Sequence, residues 1–190
     1  MKPLVVGIGG TTRTGSTGER ALHVALDAAE EAGARTLLFS GLFLAKMPIY
    51  APETRERTAE QCELVEAVRC ADGLILASPG YHGGISGLVK NALDLFEDLR
   101  DDKRCYLDGR AVGCIITANG WQTIGTALLA LRSIVHALRG WPTPLGAGLN
   151  TAEAIFDASG ACADRAALMQ LTTVARQVVE FAEKWGRGMG

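Results

Sequence analysis

Short apolar runs that stop at glycine, alternating with stretches of helical periodicity, constrain this chain more than any other feature. Residues 4–8, 36–39, 73–77 and 111–117 read as buried strands, with a short fifth at 142–147. Residues 16–32, 55–70, 84–99, 123–138 and 164–184 read as helices. Ala21, Leu22, Ala25, Ala28, Ala29 and Ala32 make one apolar stripe; Leu128, Leu131, Val135 and Leu138 make another. Gly33 is placed to end the first helix, and Met47-Pro48-Ile49-Tyr50 with Pro52 forbids regular structure after the second strand. Parallel strands need crossovers, and helical crossovers cover both faces of a sheet. The expected fold class is therefore α/β, a doubly wound five-stranded parallel sheet of order 2-1-3-4-5 with helices on both faces. A ligand belongs in the crevice between strands 1 and 3. The 190 residues suit one domain over 1–190, with residues 186–190 expected to fray.

Charge and cysteine content remove several function classes. The formal net charge is −2, which offers no global field for nucleic acid or an anionic membrane. Any phosphate must be met by local groups. Cys62, Cys70, Cys105, Cys114 and Cys162 are odd in number and contain no C-x-x-C pair. They match neither a disulfide framework nor zinc spacing, and read as small buried apolar residues in a reducing, cytoplasmic setting. The first apolar run is too short for a signal-peptide core or a membrane span. No metal-ligand cluster and no G-x-S-x-G nucleophile elbow is visible.

The chemistry concentrates in two loops. Val6 to Leu22, VGIGGTTRTGSTGERAL, leaves a strand, crosses a Gly/Thr/Ser loop and enters a helix. A helix N-terminus presents free N–H groups and a positive dipole end, and hydroxyls and Arg13 add donors. Three readings of this loop compete. A dinucleotide fingerprint has Gly7 and Gly9 but Thr12 in place of its third glycine. A Walker loop has Gly10, Gly15 and Thr17 but Ser16 in place of its lysine. A monophosphate cradle rich in hydroxyls matches best, beside the plain alternative of a capped strand-to-helix turn.

The second loop, Ser78 to Asp94, reads SPGYHGGISGLVKNALD and follows the third strand, beside the first loop at the switch point. Here the sequence resembles the NAD(P)H-dependent FMN reductases, a flavodoxin-like family of flavin, azo-dye, quinone and chromate reductases. Residues 10–16 are similar to its G-S-x-R-x-x-S phosphate loop, Met47-Pro48-Ile49-Tyr50 to its L-P-x-Y segment, and Ala71-Asp72-Gly73 to its A-D-A strand start. Residues 79–94 are similar to its P-x-Y-N-x-x-x-P-G-x-L-K-N-x-x-D signature, with His82 for asparagine and Ser86 for proline. Residues 112–146 are more similar to the branch that supplies reduced FMN to two-component monooxygenases.

The resemblance implies site roles residue by residue. Thr11, Arg13, Ser16 and Thr17 would hold the FMN phosphate. Pro79, Gly80, Tyr81, His82 and Gly83 would line the flavin. Thr117, Ala118, Asn119, Gly120 and Trp121 would form a third wall. His82 reads either as a proton donor or as a packing residue. Arg132, His136 and Arg139 share a helix face that is either solvated or part of a subunit contact. The implied activity is hydride transfer from NADPH or NADH to FMN, with reduced flavin passed to a partner monooxygenase or a small acceptor such as a quinone. The implied assembly is a homodimer or homotetramer. Two rivals remain: a flavodoxin-like FMN electron carrier without nicotinamide oxidation, and a phosphate-binding enzyme without flavin.

Overall fold

Val5, Val6 and Ile8 are fully buried in the first strand, β1 (Leu4–Gly9), and define two faces of a central sheet. The computed structural model describes residues 2–187. After β1 come α1 (Thr17–Glu31), β2 (Arg35–Ser40), a one-turn helix α2 (Gly41–Leu44) and α3 (Ala59–Cys70). They are followed by β3 (Gly73–Tyr81), β4 (Gly84–Ile85), α4 (Gly87–Asp94) continuing as a 3-10 segment Leu95–Leu99, and β5 (Ala111–Ala118). The chain closes with α5 (Trp121–Ala137), β6 (Trp141–Pro142), β7 (Ala147–Asn150) and α6 (Arg165–Arg187). Of the tail expected to fray, residues 188–190 lie outside the described residues.

Side chains alternate across the pleat. Val6, Ile8, Leu74, Leu76, Val112, Cys114 and Ile116 face the core beneath α3, α4 and α5. Val5, Ile75, Ala77 and Ile115 face the core beneath α1 and α6. Gly113 stands on that second face, where a Cβ would come 2.4 Å from Val174 Cγ1, so α6 seats close against β5. The α1 stripe expected from its alanines is buried on this side, and α1 ends in a Schellman motif. Gly33 N donates to Glu30 O and Ala34 N to Ala29 O.

Strands β2, β1, β3 and β5 pair in parallel in that order, as expected. The fifth position differs. The single strand expected at 142–147 is two pieces: β6 pairs with Ala111–Val112 and β7 with Ile115–Ala118. Pro144 has no N–H to give the ladder, and residues 143–146 leave it. Helices on both faces satisfy the freed groups: Arg132 Nη1 donates to Thr143 O at 2.7 Å, and Leu145 N to Gln177 Oε1 at 3.1 Å. Arg132 is therefore spent inside the chain, and Arg139 lies over the Tyr106 ring, 5.6 Å from its centroid.

Two helices begin later than their periodicity suggested. The one expected from residue 55 starts at Ala59, where Thr58 and Gln61 form a reciprocal capping box. The one expected from residue 84 starts at Gly87, capped by Ser86, because Gly84–Ile85 pairs antiparallel with Gly80–Tyr81. His82 and Gly83, with φ of +52° and +84°, make the two-residue turn of this hairpin. The cysteines also depart from expectation: Cys114 is buried, Cys105 and Cys162 are half-buried, and Cys62 and Cys70 are exposed.

At the N-terminal edge of the sheet, Arg110 is almost wholly buried. Its guanidinium donates to Ala71 O, Tyr106 O and Arg69 O at 2.9, 3.0 and 2.8 Å. It thereby caps the carbonyls at the end of α3, where the helix dipole favours a cation.

Candidate active site

The C-terminal ends of β1, β3 and β5 lie at the opposite edge of the sheet, and the loops that leave them converge. The first loop is tied to β3 by Gly10 N donating to Ala77 O at 3.2 Å. Thr11 folds it locally, since its Oγ1 accepts from Arg13 N at 3.1 Å and lies 3.2 Å from Arg13 O as donor. Ser16, buried, caps α1 by accepting from Glu19 N at 3.3 Å. Gly41 seats the loop from behind. A Cβ there would lie 2.1 Å from Thr11 O, so only glycine lets α2 start this close to the loop backbone.

The second wall is the end of β3 with its hairpin. Ser78 and Ser86, both buried, lock it: Ser86 N donates to Ser78 Oγ at 2.9 Å, and Ser78 Oγ donates to Pro79 O at 2.9 Å. The third wall is the end of β5. Gly120 N donates to Asn150 Oδ1 at 3.1 Å and Thr151 N to Ala118 O at 2.9 Å, which binds this turn to the end of β7.

These walls enclose a cavity of about 330 Å³ lined by Thr11, Arg13, Ser16, Thr17, Gly18, Pro79, Gly80, Tyr81, Thr117, Ala118, Asn119 and Thr151. No acidic side chain is among them. Thr17 and Gly18 open α1, where N–H groups have no intrahelical acceptor, so hydroxyls, amides and the Arg13 guanidinium form an anion-type donor set. A smaller hollow of about 210 Å³ adjoins it, sharing Thr11, Pro79 and Tyr81 and reaching Ser86, Gly87 and Leu88 at the start of α4.

The remaining residues singled out in the sequence stand at the margin. His82 and Gly83 form the hairpin tip, and Gly120 is the N-cap of α5 with φ +123°. Trp121, exposed, lines a separate cleft of about 100 Å³ with Asn150, Glu153 and Gln170. Sequence reasoning missed Gly18 and Thr151. Thr151 follows β7, and the rule that ligands sit beyond the carboxyl ends of strands applies to that last strand too.

The sequence profile of the NADPH-dependent FMN reductases matches residues 3–153. The chain belongs to that family. It is 38% identical over 93 residues to an FMN-dependent NADPH-azoreductase of Staphylococcus aureus, a match covering 49% of this chain and 46% of that protein. The chain thus spans about half the length of the curated relatives it matches. Among solved structures, an oxidoreductase from Corynebacterium diphtheriae superposes with TM-score 0.72 at 18% identity, covering 96% of this chain and 98% of that one. The NADH:FMN oxidoreductase EmoB superposes with TM-score 0.69 at 20% identity, covering 96% and 90%. A flavodoxin, WrbA-like protein from Agrobacterium tumefaciens superposes with TM-score 0.64 at 16% identity, covering 95% and 96%. These structures share the flavodoxin-like α/β fold.

The two departures from the family pattern now have physical readings. His82 occupies a left-handed turn position, where asparagine and histidine are both tolerated better than most residues. Ser86 uses its N–H on Ser78, a bond that proline could not make. Among the described residues, no helix is long and apolar enough to cross a membrane, and no cluster of three or more His, Cys, Asp or Glu is placed to hold a metal.

Proposed function

We propose that this chain is an NAD(P)H-dependent FMN reductase whose flavin site is the 330 Å³ cavity at the ends of β1, β3 and β5. The observation that carries the reading is the composition of that cavity: an anion donor set from the first loop, beside the paired ends of β3 at Pro79, Gly80 and Tyr81 and of β5 at Thr117 to Asn119. The donor set fits a phosphate monoester, because it joins first-turn amides, three hydroxyls and a guanidinium without a carboxylate in the lining.

Thr11, Arg13, Ser16, Thr17 and Gly18 hold the phosphate end in this reading. Pro79, Gly80 and Tyr81 flank the ring, with His82, Gly83 and Gly120 at its rim. Bound FMN supplies the redox chemistry, accepting hydride from a nicotinamide and passing electrons onward. The chain's own contribution is placement. The Ser78–Ser86 lock fixes the wall beside the ring, and exposed Tyr81 stands at the end of that wall. No side-chain acid or base is needed for hydride transfer.

The further reading is a single domain over residues 1–190 that acts in the cytoplasm as a homodimer or homotetramer. Reduced flavin would go to a partner monooxygenase or to a small acceptor such as a quinone. The test is a visible spectrum of purified protein, alone and with FMN, before and after NADPH or NADH. Bleaching of the flavin bands with nicotinamide consumption supports the reading. FMN that stays oxidised under both nicotinamides, or a stabilised semiquinone on chemical reduction without nicotinamide oxidation, would sink it in favour of an electron carrier.

A further inference from the structure

Beside the phosphate donor set lies a negative charge that belongs to the chain itself. Glu19 is the third residue of α1. Its backbone N–H donates to Ser16 Oγ, while its carboxylate turns back and accepts from Gly15 N at 2.7 Å. Ser16 and Glu19 have the spacing of a capping box, but the carboxylate reaches past the cap residue into the loop. One loop amide is therefore already committed to an anion. The first turn of α1 favours a carboxylate, so the arrangement keeps the loop ordered without a ligand. Glu19 makes no ion pair among the described residues; the guanidinium of Arg20 flanks the same loop, its Nη2 3.6 Å from where a Gly15 Cβ would lie, and it also lies 6.0 Å from the Phe156 ring centroid.

A phosphate monoester carries between one and two negative charges near neutral pH. Entering this loop, it must share the loop with the Glu19 carboxylate or displace it from Gly15. Both routes weaken phosphate recognition while leaving ring contacts untouched. We infer that Glu19 is a specificity-determining residue that holds down the affinity for the flavin phosphate, so that FMN exchanges readily and is favoured only modestly over riboflavin. The inference rests on the flavin reading above.

Riboflavin has the ring and ribityl chain of FMN without the phosphate, and separates the two contributions. Binding of each flavin is followed by fluorescence quenching in the wild type, Glu19→Gln and Glu19→Ala. Glutamine keeps an acceptor for Gly15 N and removes the charge; alanine frees the N–H. Both variants are expected to bind FMN about tenfold more tightly, the scale of one screened charge pair, with riboflavin affinity unchanged. Unchanged or weaker FMN binding in both variants would show that Glu19 only caps the loop, and overturns the inference. So would equal tightening of riboflavin, or loss of folding in Glu19→Gln. If neither flavin binds any of the three proteins, the flavin reading itself fails and takes this inference with it. FMN binding that is present but insensitive to Glu19 removes the inference alone.

Discussion

Replacing Arg110 with methionine is expected to destabilise the protein by about 3 kcal/mol while leaving flavin binding alone. The side chain is 99% buried and makes three hydrogen bonds to backbone carbonyls, with no carboxylate among its acceptors. Bonds from a charged donor contribute roughly 1.5–3 kcal/mol each, so the three together are worth about 6 kcal/mol. Against this stands the cost of burying the ion. Burial, with Arg104 alongside, lowers the guanidinium pKa well below its ordinary value, to about 10. That shift corresponds to roughly 3 kcal/mol that methionine would recover. Ala71 O keeps a second donor in Arg104 Nη1 at 3.3 Å, so the orphaned acceptors are Arg69 O and Tyr106 O. The net loss should lower Tm by about 6–12 °C. Urea unfolding followed by circular dichroism measures it, with an unchanged m-value showing that the unfolded reference has not moved. Arg110→Lys should lose a similar amount, because a compact ammonium cannot span three separated carbonyls. A methionine variant as stable as wild type would refute the argument and show that desolvation of the charge outweighs its hydrogen bonds.

Gly41→Ala should lower FMN affinity by about tenfold or more and cost about 1–3 kcal/mol, since its Cβ would sit 2.1 Å from Thr11 O and the loop backbone must move. Flavin titration and thermal melting together check this, and an unaltered variant would mean the loop is not seated on α2. His82→Asn should stabilise the hairpin by about 0.5 kcal/mol, because Asn-Gly suits a turn with both φ positive. Its rate of nicotinamide oxidation should match wild type, and a loss of about 10²-fold or more would assign His82 a role in proton delivery. Alkylation with iodoacetamide, mapped by mass spectrometry, should label exposed Cys62 and Cys70 in the native protein. Cys70 should be the slower, its thiol pKa raised first by the hydrogen bond to Glu66 and then by burial. Cys114, buried and pushed up to about 12, should react only after unfolding.

The order of strands and helices was legible because apolar runs on buried strands stand out against helical stripes. Val6, Ile8, Leu74 and Leu76 are apolar for one core, Val5, Ile75 and Ala77 for the other, so the strands read as unbroken runs. Boundaries set by long-range partners were not legible. Periodicity alone carries α4 back over Gly84–Ile85, and pairing with β3 decides otherwise. The fifth strand is cut at Pro144, a residue visible in the sequence, but the side chains that make the cut tolerable come from Arg132 and Gln177. At the site, ten of the residues named from motifs line one cavity, because each motif follows a strand end. Trp121 was grouped with them for its place after β5. It starts α5, and the first turn of that helix carries it to the neighbouring cleft. The Glu19 carboxylate on Gly15 was invisible, since spacing gives a capping box and only coordinates show which N–H the carboxylate takes.

The break at residues 143–146 also bears on how the protein behaves at high concentration. The side of the sheet beyond β5 offers two residues of β6 and four of β7, never a continuous strand. An incoming segment from another molecule would find Thr143 O and Leu145 N already engaged, and Pro142 and Pro144 without donors. This flank of the sheet is thus a poor template for intermolecular strand addition. The irregularity that spoils the fifth strand protects this edge of the sheet, whereas β2 at the other edge runs six residues unbroken.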